Sequence, residues 1–178
     1  IDVYKHQWNV IEAISNLKKE NYSLKLILIG GSNSFAKKKL DKAIEKYDPK
    51  KEFVKYLGFI DYQNIHREYQ EANLGIFASS CENMPNILIE MMRSGLPIAC
   101  SELGPMPEIL GEGGVYFDPL DPKSIASSIK IIIENDKLKT NIVKHALMRS
   151  EKYSWSECSN KTFSFLNSVA KNSKDLYL

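Results

Sequence analysis

A chain of 178 residues is long enough for one well-packed domain and marginal for two. With 43% hydrophobic and 26% charged residues it has the composition of a soluble globular protein, which excludes a disordered chain. The net charge of +2 gives no electrostatic basis for nucleic acid as the main partner. The three cysteines (Cys81, Cys100 and Cys158) form no CxxC pair, so the sequence indicates neither a zinc site nor a disulfide framework. A protein of the reducing cytoplasm fits this cysteine content best.

The predicted elements alternate along the chain between helices and short apolar strands. In chain order the pattern predicts a helix marked by Trp8, Ile11, Ile14 and Leu17, a strand at 24–29, a helix marked by Leu40, Ala43 and Tyr47, and a strand at 52–57. It then predicts a helix marked by Ile65, Tyr69 and Ala72 with Asp61 as its N-cap, and strands at 74–78, 97–100 and 115–117. A helix that begins at Asp121-Pro122 follows, and a helical tail at 138–150 and 155–170 completes the chain. Apolar runs bounded by glycine and proline are typical of strands buried on both faces of a parallel sheet.

This alternation predicts an α/β fold: a Rossmann-like, doubly wound parallel sheet of about six strands, flanked by helices and followed by a helical C-terminal tail. The chain opens at Ile1 without a methionine and runs directly into a helix, so we expect a piece of a longer protein with a truncated first strand. The visible strands would then be numbers two to six. In the strand order 3-2-1-4-5-6 the ligand crevice lies beside the loops after strands one and four, and the loop after strand four is residues 79–83.

The same loop carries the most informative chemistry of the sequence. Glu82 and Glu90 bracket seven residues, the first in a polar break and the second within a helical pattern that ends at Ser94-Gly95. The start of that helix offers unpaired N–H groups and a partial positive charge, which suit a phosphate. An ionised carboxylate accepts two sugar hydroxyls at once. The combination indicates a sugar nucleotide as the ligand.

The two acids and the turn Ser94-Gly95-Leu96-Pro97 resemble the donor-binding half of the retaining, two-domain (GT-B) glycosyltransferases of the group 1 or family 4 type. Those proteins have the same spacing between two glutamates and a small-residue-Gly-x-Pro turn after the second. The match extends to residues 54–58 and 104–109 and to Tyr153-Ser154-Trp155, so the resemblance covers nearly the whole chain. It implies one nucleotide-sugar-binding domain over residues 1–178, with an acceptor domain before residue 1.

The resemblance also implies a role for each matching residue. Glu82 would be the catalytic residue that faces the donor sugar, and Glu90 would hold the ribose through its 2′ and 3′ hydroxyls. The donor would lie against the segment between them, which comprises Asn83, Met84, Pro85, Asn86, Ile87 and Leu88. The backbone amides of Asn86, Ile87 and Leu88 would face the diphosphate, and Pro85 contributes none because it has no N–H. Phe59 and Ile60 would flank the base. The Gly30-Gly31 turn would leave space near the phosphates, and Lys5 would be the diphosphate lysine.

Two departures from the family pattern limit what the resemblance identifies. Many relatives have Gly-Phe-Gly after the first acid, where this chain has Asn83-Met84-Pro85-Asn86, so the donor sugar is not identified. The arginine that accompanies the family's lysine has no counterpart here and is expected before residue 1.

The resemblance further implies the ligands and the setting of the enzyme. The donor would be a UDP-, GDP- or ADP-linked sugar, with no metal or other cofactor and no nucleic-acid partner. A saccharide or lipid-linked acceptor would bind through the missing domain, so the isolated chain is expected to be inactive or nearly so. Family analogy suggests bacterial surface polysaccharide synthesis in the cytoplasm, at the inner face of the membrane, with peripheral membrane association of the full protein.

Other interpretations stay open at this stage. A non-catalytic or regulatory nucleotide-binding module of the same fold is the alternative function. A dinucleotide-dependent oxidoreductase is disfavoured because Gly30-Gly31-Ser32 does not extend to G-x-G-x-x-G. Asn86 is either a helix cap or a ligand contact, Glu108 fits an ordinary first-turn acid, and Cys81 fits a packing residue beside the site. The histidines have no evident partner, and at least two are expected at the surface: His6, His66 and His145.

Overall fold

The computed structural model describes residues 1–174, which form an α/β fold of short parallel strands and helices. The strands are β1 (Leu26–Ile29), β2 (Val54–Gly58), β3 (Gly75–Phe77), β4 (Ile98–Ser101) and β5 (Val115–Phe117). The helices are α1 (Gln7–Lys19), α2 (Ser34–Tyr47), α3 (Tyr62–Glu71), α4 (Asn86–Arg93), α5 (Met106–Leu110), α6 (Pro122–Glu134), α7 (Asp136–Ser150) and α8 (Trp155–Lys174). A single 3-10 turn, Val3–Lys5, precedes α1. The predicted α/β class, the predicted strands and the helical tail are all confirmed.

The strands form two parallel sheets, one of order β1-β2 and one of order β3-β4-β5. If the strands are numbered two to six, these are the two flanks of the order 3-2-1-4-5-6. The place of strand one, between β1 and β3, holds no strand in the described part of the chain. The loops that follow β1 and β3 leave from the carboxyl ends of the strands on either side of that place.

Two clusters of buried side chains hold the helices against the sheets. In the larger one, Ile11 of α1 and Ile125 of α6 are fully buried in the same cluster as Leu26 and Leu28 of β1. In the smaller one, Leu88 and Met92 of α4 are fully buried against Ile98 of β4. Burial of one such side chain stabilises the fold by about 1.5–3 kcal/mol. Leu88 therefore fixes the first turn of α4, the turn whose amides matter for phosphate binding.

Side-chain caps define the starts of four helices, among them α8, where Ser154 accepts from the Glu157 N–H at 3.1 Å. Asn33 accepts from the Ala36 N–H at 2.8 Å, Asp121 from the Lys123 N–H at 2.9 Å, and Asn135 from the Leu138 N–H at 2.9 Å. The predicted cap Asp61 does precede α3, but its side chain makes no capping hydrogen bond. The position of Asp61 before α3 is therefore confirmed, whereas the prediction that its side chain caps the helix is wrong.

The β1 strand departs from the expected burial on both faces. Its residues Leu26 and Leu28 are buried, whereas Ile27 between them is 45% exposed. Every residue of β4, in contrast, is buried. The prediction is wrong for β1 because an apolar run does not reveal how many helices cover a sheet.

Helix α8 lies outside both clusters, and its side chains are exposed through residue 172. The large apolar residues are among them: Trp155 at 80% exposed, Phe163 at 69%, Phe165 at 67%, Leu166 at 53% and Val169 at 49%. Most of them recur at helical spacing on one face. Across residues 1–174, no helix is both long and apolar enough to cross a membrane.

Candidate donor site

The candidate site is built at the carboxyl ends of β1, β2 and β3. The longest connection, the β3–α4 loop (residues 78–85), carries Glu82 and leads into the first turn of α4. Within it Asn83 and Met84 are exposed and Pro85 is buried. The middle of the loop is therefore accessible to a ligand, whereas the buried proline packs its end into the protein.

Of the three free amides that the sequence predicts in the first turn of α4, those of Ile87 and Leu88 are free in the described part of the chain and that of Asn86 is not. Pro85 occupies the cap position, and no side chain caps the helix. The Asn86 N–H donates to the Met84 carbonyl at 2.9 Å, so Asn86 is a first-turn residue and not a cap. The N–H groups of Ile87 and Leu88 have no acceptor among residues 1–174. Two unpaired donors at the positive end of a helix are suited to an anion.

Lys5 and Glu82 form an ion pair at the centre of this site. The Lys5 ammonium contacts Oε1 of Glu82, and the two side chains are only 21% and 15% exposed. The ammonium also lies 5.3 Å from the ring centroids of both Tyr4 and Phe77. The residues that the family resemblance assigns to the diphosphate and to the sugar are thus in contact with each other.

A second contact joins the same two segments. Nε2 of His6 lies 2.8 Å from the Ser80 hydroxyl, and the Ser80 N–H donates to the Tyr4 carbonyl at 2.8 Å. The hydroxyls of Ser79 and Ser80 are each 3.4 Å from that carbonyl. Burial lowers the pKa of His6 below its ordinary value, and the positive charge of Lys39 lowers it further. A neutral imidazole therefore holds the β3–α4 loop against the turn that carries Lys5.

Glu90 lies in α4, where its carboxylate is partly buried and bound by a neighbouring helix. The Tyr69 hydroxyl of α3 donates to its Oε2 at 3.3 Å. Burial raises the pKa of Tyr69 above its ordinary value, and the negative charge of Glu90 raises it further. Tyr69 is therefore a neutral donor that occupies one carboxylate oxygen and leaves Oε1 for a ligand.

The loops after β1 and β2 lie side by side. The Gly30 N–H donates to the Gly58 carbonyl at 2.8 Å, and both glycines have positive φ, +121° and +72°. The Gly30-Gly31 turn has no atom within 4 Å of a Cβ built at Gly31. Phe59 is 78% exposed directly after β2, and Ile60 is half-buried. No hydrogen bond within the described residues ties Phe59 or Ile60 to either acid.

Other candidate residues lie outside this arrangement. Cys81 is exposed, so its interpretation as a packing residue is wrong. Glu108 is an exposed acid in the first turn of α5, as expected, and His66 is exposed. His145 is only partly exposed, and its Nδ1 lies 3.4 Å from Glu112. The expectation of at least two surface histidines without partners is therefore wrong, since of the three histidines only His66 is exposed and His6 contacts Ser80. Within residues 1–174 no cluster of three or more His, Cys, Asp or Glu side chains could hold a metal.

A sequence profile described as glycosyl transferases group 1 matches residues 1–148. The chain belongs to this family. The O-antigen chain mannosyltransferase B of Escherichia coli is 26% identical to it over 110 residues, which are 62% of this chain and 29% of that protein. Spore coat protein SA of Bacillus subtilis is 23% identical over 150 residues, 80% of this chain and 40% of that protein. This group 1 chain matches well under half the length of these two curated relatives.

Several solved structures share the fold of this group 1 chain. Anabaena HepE, solved with UDP and glucose, matches with a TM-score of 0.82 and 21% identity, over 94% of this chain and 46% of that one. The α,α-trehalose 6-phosphate synthase of Burkholderia multivorans matches with a TM-score of 0.85 and 14% identity, over 99% and 42%. The C-terminal domain of the group 1 protein LpcC from Francisella tularensis matches with a TM-score of 0.73 and 23% identity, over 85% and 80%. These likenesses show the Rossmann-like fold of the GT-B glycosyltransferases.

Three residues of the site were missed from the sequence: His6, Ser80 and Tyr69. His6 directly follows Lys5, and Ser80 stands two positions before Glu82, so proximity to the two charged residues was the available signal. Tyr69 was assigned only to an apolar helical stripe, and nothing in the sequence connects it to Glu90.

Proposed function

We propose that this chain is the donor-binding domain of a retaining glycosyltransferase, and that it binds a nucleotide-linked sugar at the carboxyl ends of its strands. Glu82 faces the donor sugar, Glu90 binds the ribose hydroxyls, and Lys5 binds the diphosphate. The amides of Ile87 and Leu88 complete the diphosphate site. The observation that carries the proposal is the half-buried Lys5–Glu82 pair beside a helix end with two unpaired N–H donors.

The electrostatics of the site fit departure of a nucleoside diphosphate. Cleavage of the bond between sugar and phosphate leaves additional negative charge on the diphosphate. A fixed ammonium and unpaired helix-end amides stabilise that charge more strongly in the transition state than in the donor. Glu82 lies on the sugar side, where a carboxylate stabilises positive charge at the reacting carbon.

The base side of the site is formed by the segment after β2. Phe59 presents an exposed ring, and Ile60 lies next to it. Both residues flank the base in this proposal, while the Gly30-Gly31 turn leaves room for the phosphates. The remaining loop residues, Asn83 to Asn86, surround the sugar and the diphosphate. The donor is a UDP-, GDP- or ADP-linked sugar; HepE was solved with UDP and with UDP-glucose, which supports this class.

We place the chain in a two-domain enzyme whose acceptor domain is a separate part of the protein. The match to HepE covers 94% of this chain and 46% of that one, and the relatives include an O-antigen chain mannosyltransferase and a serotype-specific mannosyltransferase. The apolar face of α8 supports the arrangement, because an isolated helix with exposed Trp155 and Phe165 gains stability only when it is covered. The acceptor domain covers this face in our proposal, and the whole enzyme makes a bacterial surface polysaccharide at the cytoplasmic side of the membrane.

Calorimetric titration of the chain with UDP, GDP and ADP tests the proposal. One of the three should bind, and Glu90→Ala should weaken that binding by roughly tenfold or more, since it removes a charged hydrogen-bonding partner. The circular dichroism spectrum should stay unchanged. Glu112→Ala, an exposed acid in another part of the fold, is the matched control. Unchanged affinity in Glu90→Ala would remove the ribose role.

A second titration separates a transferase domain from a nucleotide-binding module. A module without transfer chemistry should bind a nucleoside diphosphate and its sugar-linked form equally well. A donor site should distinguish the two, and Glu82→Ala should abolish the distinction. Transfer itself should require the acceptor domain, so substantial activity from residues 1–178 alone would contradict the two-domain assignment.

A further inference from the structure

His6 connects two parts of the site that the sheets do not connect. The turn with Lys5 and the loop with Glu82 are 77 positions apart, and the sheets that flank them share no hydrogen bond. The His6 ring and the Tyr4 carbonyl both bond to Ser80, so one residue of the loop receives two contacts from the turn. These contacts lie directly beside the ion pair, since His6 follows Lys5 and Ser80 stands two positions before Glu82.

The His6 side chain projects from a junction between two helical elements. His6 has φ 49° and ψ 30°, in the left-handed region, because it ends the 3-10 turn Val3–Lys5 and precedes α1. A left-handed residue is common at the end of a helix, so this backbone fixes where the ring starts and a glycine fits the same position. The His6 ring also lies edge-on to Trp8, with centroids 5.9 Å apart, and the Lys39 ammonium lies 3.8 Å from the Trp8 ring centroid. The imidazole is therefore held between a rigid aromatic ring and the Ser80 hydroxyl.

We propose that His6 is a positioning residue for the diphosphate: through Ser80 it holds the β3–α4 loop against the turn of Lys5, so that the lysine ammonium lies at the phosphate next to the sugar. This inference rests on the proposed function of Lys5 and Glu82. Because Glu82 faces the sugar, the lysine that contacts it must lie at the phosphate bonded to the sugar, the β-phosphate. His6 itself contacts neither the sugar nor the phosphate.

The test compares the affinity of this chain for a nucleoside diphosphate with that for the corresponding monophosphate, using the base that the wild type prefers. The ratio of the two affinities measures the contribution of the β-phosphate. A general loss of structure around the base would weaken the binding of both ligands and leave the ratio unchanged. His6→Gly keeps the left-handed backbone accessible and removes only the ring. We expect it to lower the ratio by roughly tenfold, the value of about one hydrogen bond to a charged or half-buried partner. Lys5→Gln should lower the ratio at least as much.

Ser80→Ala gives an independent route to the same result. It should lower the ratio to a similar extent, and the double variant with His6→Gly should lose little more than either single variant, since both break one contact. His6→Asn should recover part of the ratio, because asparagine tolerates a left-handed backbone and retains an N–H donor. Asn21→Gly is the matched control: Asn21 is exposed, has φ 71° and lies outside the site.

Each outcome decides one question. If Lys5→Gln lowers the ratio and His6→Gly leaves it unchanged, the positioning role is refuted while the proposed function stands. If His6→Gly fails to fold, an unchanged ratio in Ser80→Ala refutes the role. If the wild type binds none of UDP, GDP and ADP, the proposed function fails and this inference fails with it.

Discussion

Replacing Glu82 with glutamine should strengthen the binding of a nucleoside diphosphate while it impairs transfer. In the structure the Glu82 carboxylate forms an ion pair with the Lys5 ammonium, and in our proposal a diphosphate binds that same ammonium. The amide of glutamine keeps the size of the side chain and removes its charge. Lys5 is then released from its competitor, and the negative charge that would repel the β-phosphate is lost.

The size of the gain follows from the exposure of the pair. Fully exposed ion pairs contribute about 0–1 kcal/mol, and the side chains of Lys5 and Glu82 are only 21% and 15% exposed. A value near the upper end, about 1 kcal/mol, corresponds to roughly fivefold tighter binding of the diphosphate. The sugar-linked donor should gain less, because glutamine makes weaker hydrogen bonds to the sugar hydroxyls. Transfer by the full-length enzyme should fall by roughly a hundredfold or more, the usual cost of removing an electrostatic group at the reacting centre.

Calorimetry on the wild type, Glu82→Gln, Lys5→Gln and the double variant measures these terms. When Lys5 is already replaced, Glu82→Gln should change diphosphate affinity only slightly, because it then removes only the repulsion between the Glu82 carboxylate and the β-phosphate. The control is Glu20→Gln, which breaks the exposed pair with Lys130 and should leave affinity unchanged. If Glu82→Gln weakens diphosphate binding as much as Lys5→Gln does, the two residues do not compete and the reasoning is refuted.

Three further predictions concern stability and the ribose site. Asp48 is buried and its carboxylate accepts from three backbone N–H groups. Burial alone would raise the pKa of Asp48, but these hydrogen bonds lower it below its ordinary value. Asp48→Asn should therefore lower the free energy of unfolding by about 2 kcal/mol at neutral pH. The stabilisation from a lowered carboxyl pKa is present above the ordinary value and lost as the pH falls through the folded value, so urea unfolding should show the two proteins converging at acid pH. A Cβ at Gly114 would lie 2.6 Å from Leu110 and 2.7 Å from the carbonyl oxygen of β4, so Gly114→Ala should lower the unfolding free energy by about 1–3 kcal/mol, whereas Gly31→Ala, with nothing within 4 Å, should not. Tyr69→Phe should weaken ribonucleotide binding by roughly threefold to tenfold through Glu90 and leave a nucleotide without ribose hydroxyls unaffected; equal losses for both would contradict the assignment.

The fold could be predicted from the sequence because burial leaves a periodic record. Ile11 and Leu17 of α1 lie on one apolar stripe, and both are buried against the larger cluster. Asp121-Pro122 begins α6 for local reasons, a cap followed by a residue that needs no N–H partner. Ile27 was predicted to be buried and is not, since coverage of a sheet face depends on helices far away in sequence.

The candidate site could be predicted only in part, for a related reason. Glu82 and Glu90 stand out because a strand, a loop and a helix start are adjacent in sequence and identify one edge of the sheet. His6 and Ser80 meet across 74 positions, and Tyr69 and Glu90 across 21. Such pairs leave no local pattern, because side-chain hydrogen bonds between distant segments depend on helix orientation and loop conformation.

The ion pair at the centre of the site has a consequence for the order of affinities. On the proposed roles, a nucleoside diphosphate takes Lys5 and leaves the half-buried Glu82 carboxylate without its partner, which costs free energy. A complete nucleotide sugar takes Lys5 and supplies hydroxyls to Glu82, so neither group is left unpaired. The donor should therefore bind more tightly than the diphosphate product. The same ion pair that weakens product binding re-forms when the product leaves, and it would thus favour release after transfer.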